Sequence, residues 1–172
     1  AAKKSGRVAS EGLIGVATKD GIGALVEVNA ETDFVARNDD FQSFVSAVAG
    51  IMLDGIGSIE EAANAPFPGT ERSVGAQLTH NIATIGENMT LRRAAKLSVT
   101  NGILASYVHS AVAPGRGKIG VLVSLESNAD PNSLAELGRH LAMHIAAAKP
   151  LAVSQDNLDQ AEVARERAVL SE

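Results

Sequence analysis

The stretch VEVNAETDFVARNDDF, residues 26–41, joins a strand pattern to a helix pattern through a charged corner. Apolar and polar residues alternate up to Ala30, which is typical of a strand with one buried face. From Phe41 onward the apolar residues recur at helical spacing instead. Asp33 and Phe34 stand side by side between these two patterns, in a chain with only 3% aromatic residues. The sequence therefore raises the question of what a large aromatic side chain does at this corner.

The corner is flanked by a predicted hairpin and a predicted helix. Two short β-prone runs, at residues 13–18 and 24–28, are separated by the turn formers Asp20-Gly21, which predicts a β-hairpin. After the corner, six apolar residues form one helical stripe. They are Phe41, Phe44, Val45, Val48, Ile51 and Met52. Asp39 and Gln42 have the spacing of a capping box, which predicts Asp39 as the N-cap of this helix.

The middle of the chain predicts two more helices and then three strands. Ser58 and Glu61 have capping-box spacing and predict a short helix, and a second helix is expected after a Pro/Gly-rich loop. Asn101-Gly102 is a strong hairpin signal, so the first two of the strands are expected to pair. Residues 113–118, APGRGK, connect the second strand to the third. The second helix is predicted at 74–85, and the strands at 89–99, 103–110 and 119–127.

The last part of the chain predicts two helices. Asp130-Pro131 opens the first of them, and Lys149-Pro150 ends it. Its apolar side is predicted to consist of Leu134, Leu137, Leu141 and Ile145. The final helix follows Ser154. Because the strands are grouped by hairpins rather than by βαβ crossovers, the predicted class is α+β, with antiparallel hairpins and a small sheet packed against helices.

Composition excludes several classes of function. The chain has 172 residues, a net charge of −5 and a pI of about 5.4, which argues against a broad nucleic-acid surface. It has no cysteine, and therefore no disulfide, thiolate metal site or cysteine nucleophile. No apolar run approaches the roughly 18 residues of a membrane span. Both termini read as interrupted helices, residues 1–12 as the end of one, so we expect a fragment of a longer protein.

Of three motifs of enzyme chemistry, two are matched only in part and one is absent. Residues 115–120 match G-x-G-x-x-G, but a strand pattern follows them where the dinucleotide fingerprint needs a helix. His140 and His144 are spaced for one helix face and could bind zinc, yet Leu141 stands where the metalloprotease motif has glutamate. No G-x-S-x-G nucleophile elbow is present. Exposed histidines and a plain loop are the preferred interpretations.

The pattern around Phe34 leaves two interpretations open. Phe34 precedes Phe41 by seven residues, so a continuous helix would align both with the core, and pattern alone favours this interpretation. Against it, Arg37 and Asn38 are polar and lie between them on that face. In the second interpretation Phe34 projects from a turn ahead of the helix. An exposed aromatic beside a carboxylate is well suited to anchor a protein contact.

Four stretches of this sequence resemble one protein family. The run ETDFVAR, residues 31–37, and the four residues before it resemble the signature of translation elongation factor Ts, with its T-D-F-V element intact at 32–35. KKSGRVASEG before the hairpin, IGENMTLRRAAKL at 85–97 and HLAMHIAAAKP at 140–150 are also similar. Ala30 departs from the Ser, Cys or Val expected there.

The resemblance implies a guanine-nucleotide exchange factor that binds elongation factor Tu. It implies action by protein binding rather than enzyme catalysis, with no cofactor, no metal and no direct nucleotide binding. Asp33 and Phe34 would wedge beside the partner's magnesium site, Thr32 and Val35 would shape the turn, and His144 would make a second contact. A cytoplasmic location in a bacterium is expected, with an organelle as the alternative.

The resemblance also implies a division of the chain. Residues 1–12 would be the end of a preceding helix or a linker, 13–128 a first core subdomain, and 129–172 the start of a second one with its following helix. Two rival classes remain beside the exchange factor. One is a scaffold that binds partners without changing nucleotide release, and the other is a metal hydrolase built on His140 and His144.

Overall fold

A computed structural model describes residues 6–171, and its elements confirm the α+β class. The strands are β1 (Glu11–Lys19), β2 (Ile22–Ala30), β3 (Met89–Ser98), β4 (Gly102–His109), β5 (Arg116–Gly117) and β6 (Ile119–Glu126). The α-helices are α1 (Asp39–Leu53), α2 (Ile59–Asn64), α3 (Val74–Ile85), α4 (Pro131–Ala148) and α5 (Gln160–Leu170). Among these residues no helix is both long and apolar enough to cross a bilayer.

The first sheet has the strand order β3-β2-β1-β5, and all its pairs are antiparallel. Its centre is the predicted β1–β2 hairpin, which is confirmed. Asp20 and Gly21 form the turn with φ angles of 49° and 76°. Positive φ at both central residues matches the twist of the flanking strands, and short polar residues and glycine adopt it most readily.

The two faces of this sheet are covered by different layers. On one face α1 packs so closely that a Cβ on Gly15 would lie 2.7 Å from Val45 Cγ1. On the other face lies a second sheet of β4 and β6, where a Cβ on Gly120 would lie 2.5 Å from Ile14 Cγ2. Helix α4 packs behind this second sheet. The molecule therefore has four layers, in the order helices, sheet, sheet, helix.

The main core lies between α1 and the first sheet. Phe41, Phe44, Val45, Val48 and Met52 are at most 1% exposed, which confirms the predicted stripe of α1, and Ile51 packs at its margin. Phe67, from the loop after α2, stacks on Phe44 with ring centroids 5.6 Å apart. In a chain so poor in aromatics, the rest of this core is built mainly from valine, alanine and methionine.

The predicted pairing across Asn101-Gly102 is wrong. Strand β3 pairs with β2, and β4 pairs with β6, so this dipeptide carries the chain from the first sheet to the second. The sequence from 113 to 118 is also more than a connection, because Arg116 and Gly117 form β5 on the edge of β1. Backbone pairing is the physical reason: β2 is largely buried, and without β3 the N–H and C=O groups along its open edge would lack partners. A local turn signal does not override that requirement.

Three smaller predictions also need correction. The N-cap of α1 is Asn38 rather than Asp39, because the Asn38 side chain accepts the Phe41 N–H. Leu137 is 49% exposed, since Gly138 allows α4 to approach β4 closely and turns the Leu134–Ala142 side inward. From residue 6 the N-terminal stretch is a turn and coil, and Gly12 lies inside β1; the rest of the predicted N-terminal helix lies outside the described residues.

Candidate partner-binding site

The corner between β2 and α1 is a short, ordered turn. After Ala30 the chain leaves the sheet and forms a 3-10 turn over Val35–Arg37, in which the Ala36 N–H donates to Asp33 O and the Arg37 N–H to Phe34 O. Val35 and Ala36 point into the core and are 4% and 3% exposed. Two small apolar side chains thus anchor the turn to the hydrophobic core.

Phe34 projects from this turn and is 75% exposed, so the interpretation that it belongs to the core is wrong. Asn38 has an extended backbone, with ψ of 128°, and interrupts the helix between Phe34 and Phe41. The seven-residue spacing therefore no longer places the two rings on one face. Asp33 beside Phe34 is also exposed.

One side of the turn is held by the loop between α3 and β3. Both oxygens of the Glu87 carboxylate accept from Thr32: Oε2 from its N–H at 3.0 Å and Oε1 from its hydroxyl at 2.6 Å. The residues next to these two form a contact of opposite direction, in which the loop donates and the turn accepts. The Asn88 N–H donates to Glu31 Oε1 at 2.6 Å. Ala30 pairs with Met89 in the sheet, which brings the two loops together.

The other side of the turn is held by α1 and β5. The Gln42 side chain donates from Nε2 to Ala36 O at 2.9 Å. Arg116 on β5 in turn donates to Gln42 O at 3.3 Å. The exposed ring of Phe34 therefore stands on a backbone that is hydrogen-bonded on both sides.

The ionisable residues close to Phe34 in the sequence are mostly acidic. Asp39 and Asp40 lie in the first turn of α1, where carboxylates interact favourably with the positive end of the helix dipole. Arg37 adds one exposed cation, and Asp33 presents its carboxylate next to the ring. An apolar ring flanked by a carboxylate can fill a pocket on another protein and accept hydrogen bonds at its rim. This arrangement favours protein recognition over covalent chemistry.

His144 lies elsewhere in the molecule. It is exposed on α4, as is His140, and Met143 between them is 38% exposed. Because α4 packs behind the second sheet, this face belongs to a different layer from the Phe34 turn. Within residues 6–171 no group of three potential metal-ligating side chains surrounds the two histidines. The structure thus unites Thr32, Asp33, Phe34 and Val35 in one turn and leaves His144 apart from them.

Glu31, Glu87 and Asn88 are the residues of this site that the sequence patterns did not single out. Glu87 lies 55 residues after Thr32, so local periodicity carries no information about their contact. The available pattern signal is Gly86, a helix-ending glycine with φ of 94°, followed by two polar residues and a strand. It predicts a loop but not what that loop holds. The same stretch also carries part of the family resemblance, which gives no role to Glu87 or Asn88.

The fold is an α+β scaffold, and its candidate site is an ordered turn between β2 and α1 that leaves the Phe34 ring exposed. Residues 31–172 match the family model described as Elongation factor TS. The chain belongs to the elongation factor Ts family.

Curated relatives agree with this assignment over the whole chain. Elongation factor Ts of Rhodospirillum rubrum is 60% identical over 173 residues, and that of Rhodospirillum centenum is 57% identical over 172. The protein of the same name from Paramagnetospirillum magneticum is 56% identical. Each alignment covers 100% of this chain but only 55–56% of the relative, so the chain spans about half the length of these proteins.

Proposed function

We propose that this chain binds elongation factor Tu and promotes release of GDP from it during translation elongation. The observation that carries the proposal is the exposed Phe34 ring, 75% accessible on a turn whose backbone is hydrogen-bonded from both sides. Asp33 and Phe34 would enter the partner beside its magnesium and nucleotide site. Family membership supports a role in elongation, and the exposed Phe34 turn is the feature on which we extend the proposal to exchange.

The physics of exchange suits such a device. A GTPase holds its nucleotide partly through a magnesium ion that bridges the phosphates, so displacing groups around the ion weakens both. The coupling is reciprocal: the factor must prefer the nucleotide-free partner by the same ratio by which it loosens the nucleotide. A roughly thousandfold loosening corresponds to about 4 kcal/mol. Burial of one aromatic side chain contributes about 1.5–3 kcal/mol, and polar contacts at its rim can supply the rest.

Preorganisation makes this contribution available to the complex. Ordering a flexible loop on binding would cost about 0.5–1.5 kcal/mol for each immobilised side chain. Here the turn is already formed, with Val35 and Ala36 buried and Thr32 hydrogen-bonded. Most of the gain from burying Phe34 therefore remains for the nucleotide-free complex.

The proposed activity is binding, and it requires no covalent step, cofactor or metal from this chain. His144 on α4 would make a second contact with elongation factor Tu, and the exposed Met143 beside it would add apolar area. A cytoplasmic location follows from the proposed role in bacterial translation.

Release of a fluorescent GDP analogue from elongation factor Tu, in magnesium buffer, tests this function. We expect the release rate to rise with the concentration of this chain and to reach a plateau once the partner is saturated. Binding measured in parallel by calorimetry separates the rival classes. A complex that forms without any faster release would overturn exchange and favour the scaffold, and stoichiometric zinc in the purified chain would favour the hydrolase.

A further inference from the structure

The loop after α3 contacts the base of the Phe34 turn through both oxygens of one carboxylate. Glu87 uses both carboxylate oxygens on a single residue, Thr32, and binds both of that residue's donors. Hydrogen bonds to a charged group are stronger than neutral ones, and two parallel bonds also fix orientation. Thr32 is only two residues before Phe34. Its backbone therefore sets the direction in which the ring leaves the protein.

A second contact joins the same two segments one residue further along each of them. Glu31 accepts the Asn88 N–H at 2.6 Å, and the Asn88 side chain donates to Arg7 O at 2.7 Å. Asn88 is 7% exposed, whereas Glu87 is half-buried at the surface. Asn88 is thus part of the interior of the fold, and Glu87 is the group whose principal contact is the turn itself.

We infer that Glu87 is a positioning residue for exchange: it holds Thr32 so that Asp33 and Phe34 are presented in one orientation. The inference rests on the proposed function. Without the carboxylate, the turn would sample several directions, and the ring would reach the partner's pocket in a fraction of encounters. Docking through the remaining surface would continue, so the maximal rate of release should fall more than the affinity.

Glu87→Gln is the variant that isolates this role. The amide has the same shape, and its oxygen can still accept the Thr32 N–H, but its NH₂ group must donate to the Thr32 hydroxyl and neither bond is charge-assisted any longer. We expect the maximal rate of GDP release to fall about tenfold, the size expected when a hydrogen bond to a charged group becomes a neutral one. The concentration of chain at half-maximal rate should change little. Glu71→Gln, at an exposed glutamate in the loop before α3, is the matched control and should behave as wild type.

A double variant tests whether Glu87 acts through Thr32. Thr32→Val removes the hydroxyl and keeps the shape of the side chain, so it should also slow release. If the two residues act as one unit, Glu87→Gln/Thr32→Val should be about as slow as the slower single variant. Multiplied losses in the double variant would contradict positioning through Thr32.

Mobility of the turn can be measured on the free chain, because it contains no tryptophan. A Phe34→Trp substitution places a single fluorophore at the site, and its time-resolved anisotropy reports local rotation. We expect faster local rotation when Glu87→Gln is added, with the midpoint of thermal unfolding lowered by only about 2–4 °C, so that the chain stays folded.

The outcomes separate this inference from the proposed function. If the wild type accelerates GDP release and the Glu87→Gln variant accelerates it equally, the positioning role is overturned and exchange is kept. Slow release by a Glu87→Gln variant with unchanged anisotropy would overturn it as well, because the turn would then be equally ordered. No acceleration by wild type would remove exchange itself, and the positioning role with it.

Discussion

Phe34 differs from Phe41 and Phe44 in environment although all three lie within one short stretch. The latter two are fully buried in the α1 core, whereas Phe34 is 75% exposed because Asn38 breaks the helix between them. Side chains on a 3-10 turn follow a tighter spiral than on an α-helix. Val35 and Ala36 therefore take the inward positions, and the larger ring is left outside. The exposure of Phe34 is therefore a consequence of the interruption of the helix at Asn38.

The exposure of Phe34 predicts that its removal leaves the fold intact. Phe34→Ala should change the free energy of unfolding by less than about 0.5 kcal/mol, as for surface substitutions generally. Phe44→Ala, at a position 0% exposed in the same segment, should cost about 3–5 kcal/mol. Urea denaturation followed by circular dichroism measures both. A Phe34→Ala variant as unstable as Phe44→Ala would contradict the exposed turn.

The helices begin where short polar side chains replace the missing backbone acceptors. Ser58 accepts the Glu61 N–H at the start of α2, and Asp130 accepts the Ser133 N–H at 2.9 Å at the start of α4. The backbone N–H and then the hydroxyl of Ser133 hold the pKa of Asp130 below its ordinary value of 3.8. Both donors favour the ionised carboxylate. This cap is therefore sensitive to acid.

The pH dependence of stability should reveal the Asp130 cap. Because its pKa is lowered in the fold, the carboxylate stabilises the native state above pH 3.8, and this contribution is lost as pH falls through the lowered pKa. Wild type should be more stable than Asp130→Ala at pH 7, and the gap should close below pH 3.8. Urea denaturation across pH 2–7 measures it. A gap that stayed constant with pH would exclude an ionised cap.

The whole molecule depends on close contact between its layers. The two sheets meet where glycine replaces a side chain: Gly23 faces Leu104 and Leu122, and Gly120 faces Ile14 and Leu25. This contact joins the second sheet to the hairpin that supports the Phe34 turn. Helix α4, with His144 on its exposed side, packs on β4 and β6 of that second sheet. The proposed second contact thus depends on the packing between the sheets.

Filling the space at Gly120 should destabilise the molecule. A Cβ there would lie 2.5 Å from Ile14 Cγ2, and such overpacking costs about 1–3 kcal/mol. Gly50→Ala is the matched control, since a Cβ at that position of α1 meets nothing within 4 Å. Replacing a helical glycine by alanine should stabilise by about 0.5–1 kcal/mol. Thermal unfolding of the two variants should shift in opposite directions, and a neutral Gly120→Ala would contradict the contact.

Sequence patterns predicted the elements better than their assembly. The Asp20-Gly21 turn, the α1 stripe and the Asp130 cap are local, so residues a few positions apart were enough to indicate them. The pairing of β3 with β2 and the Glu87–Thr32 contact join residues far apart in the chain, and no local pattern encodes them. The prediction that Leu137 lies on the buried side of α4 was wrong for a related reason. The side of α4 that faces the sheet is set by the close approach of Gly138 to β4, which local periodicity does not encode. The contact role of Thr32, Asp33, Phe34 and Val35 came from family resemblance and stays a prediction.

The central claim is that the presented pair Asp33 and Phe34 drives nucleotide release. The most direct measurement is the rate at which elongation factor Tu releases a fluorescent GDP analogue at a saturating concentration of this chain. The wild type is compared with the variant Asp33→Ala/Phe34→Ala. Val169→Ala, which truncates a 63% exposed side chain on α5, is the control for loss of exposed apolar surface. We predict fast release with wild type and the control, and release near the uncatalysed rate with the folded double variant. Equally fast release with all three would contradict the account.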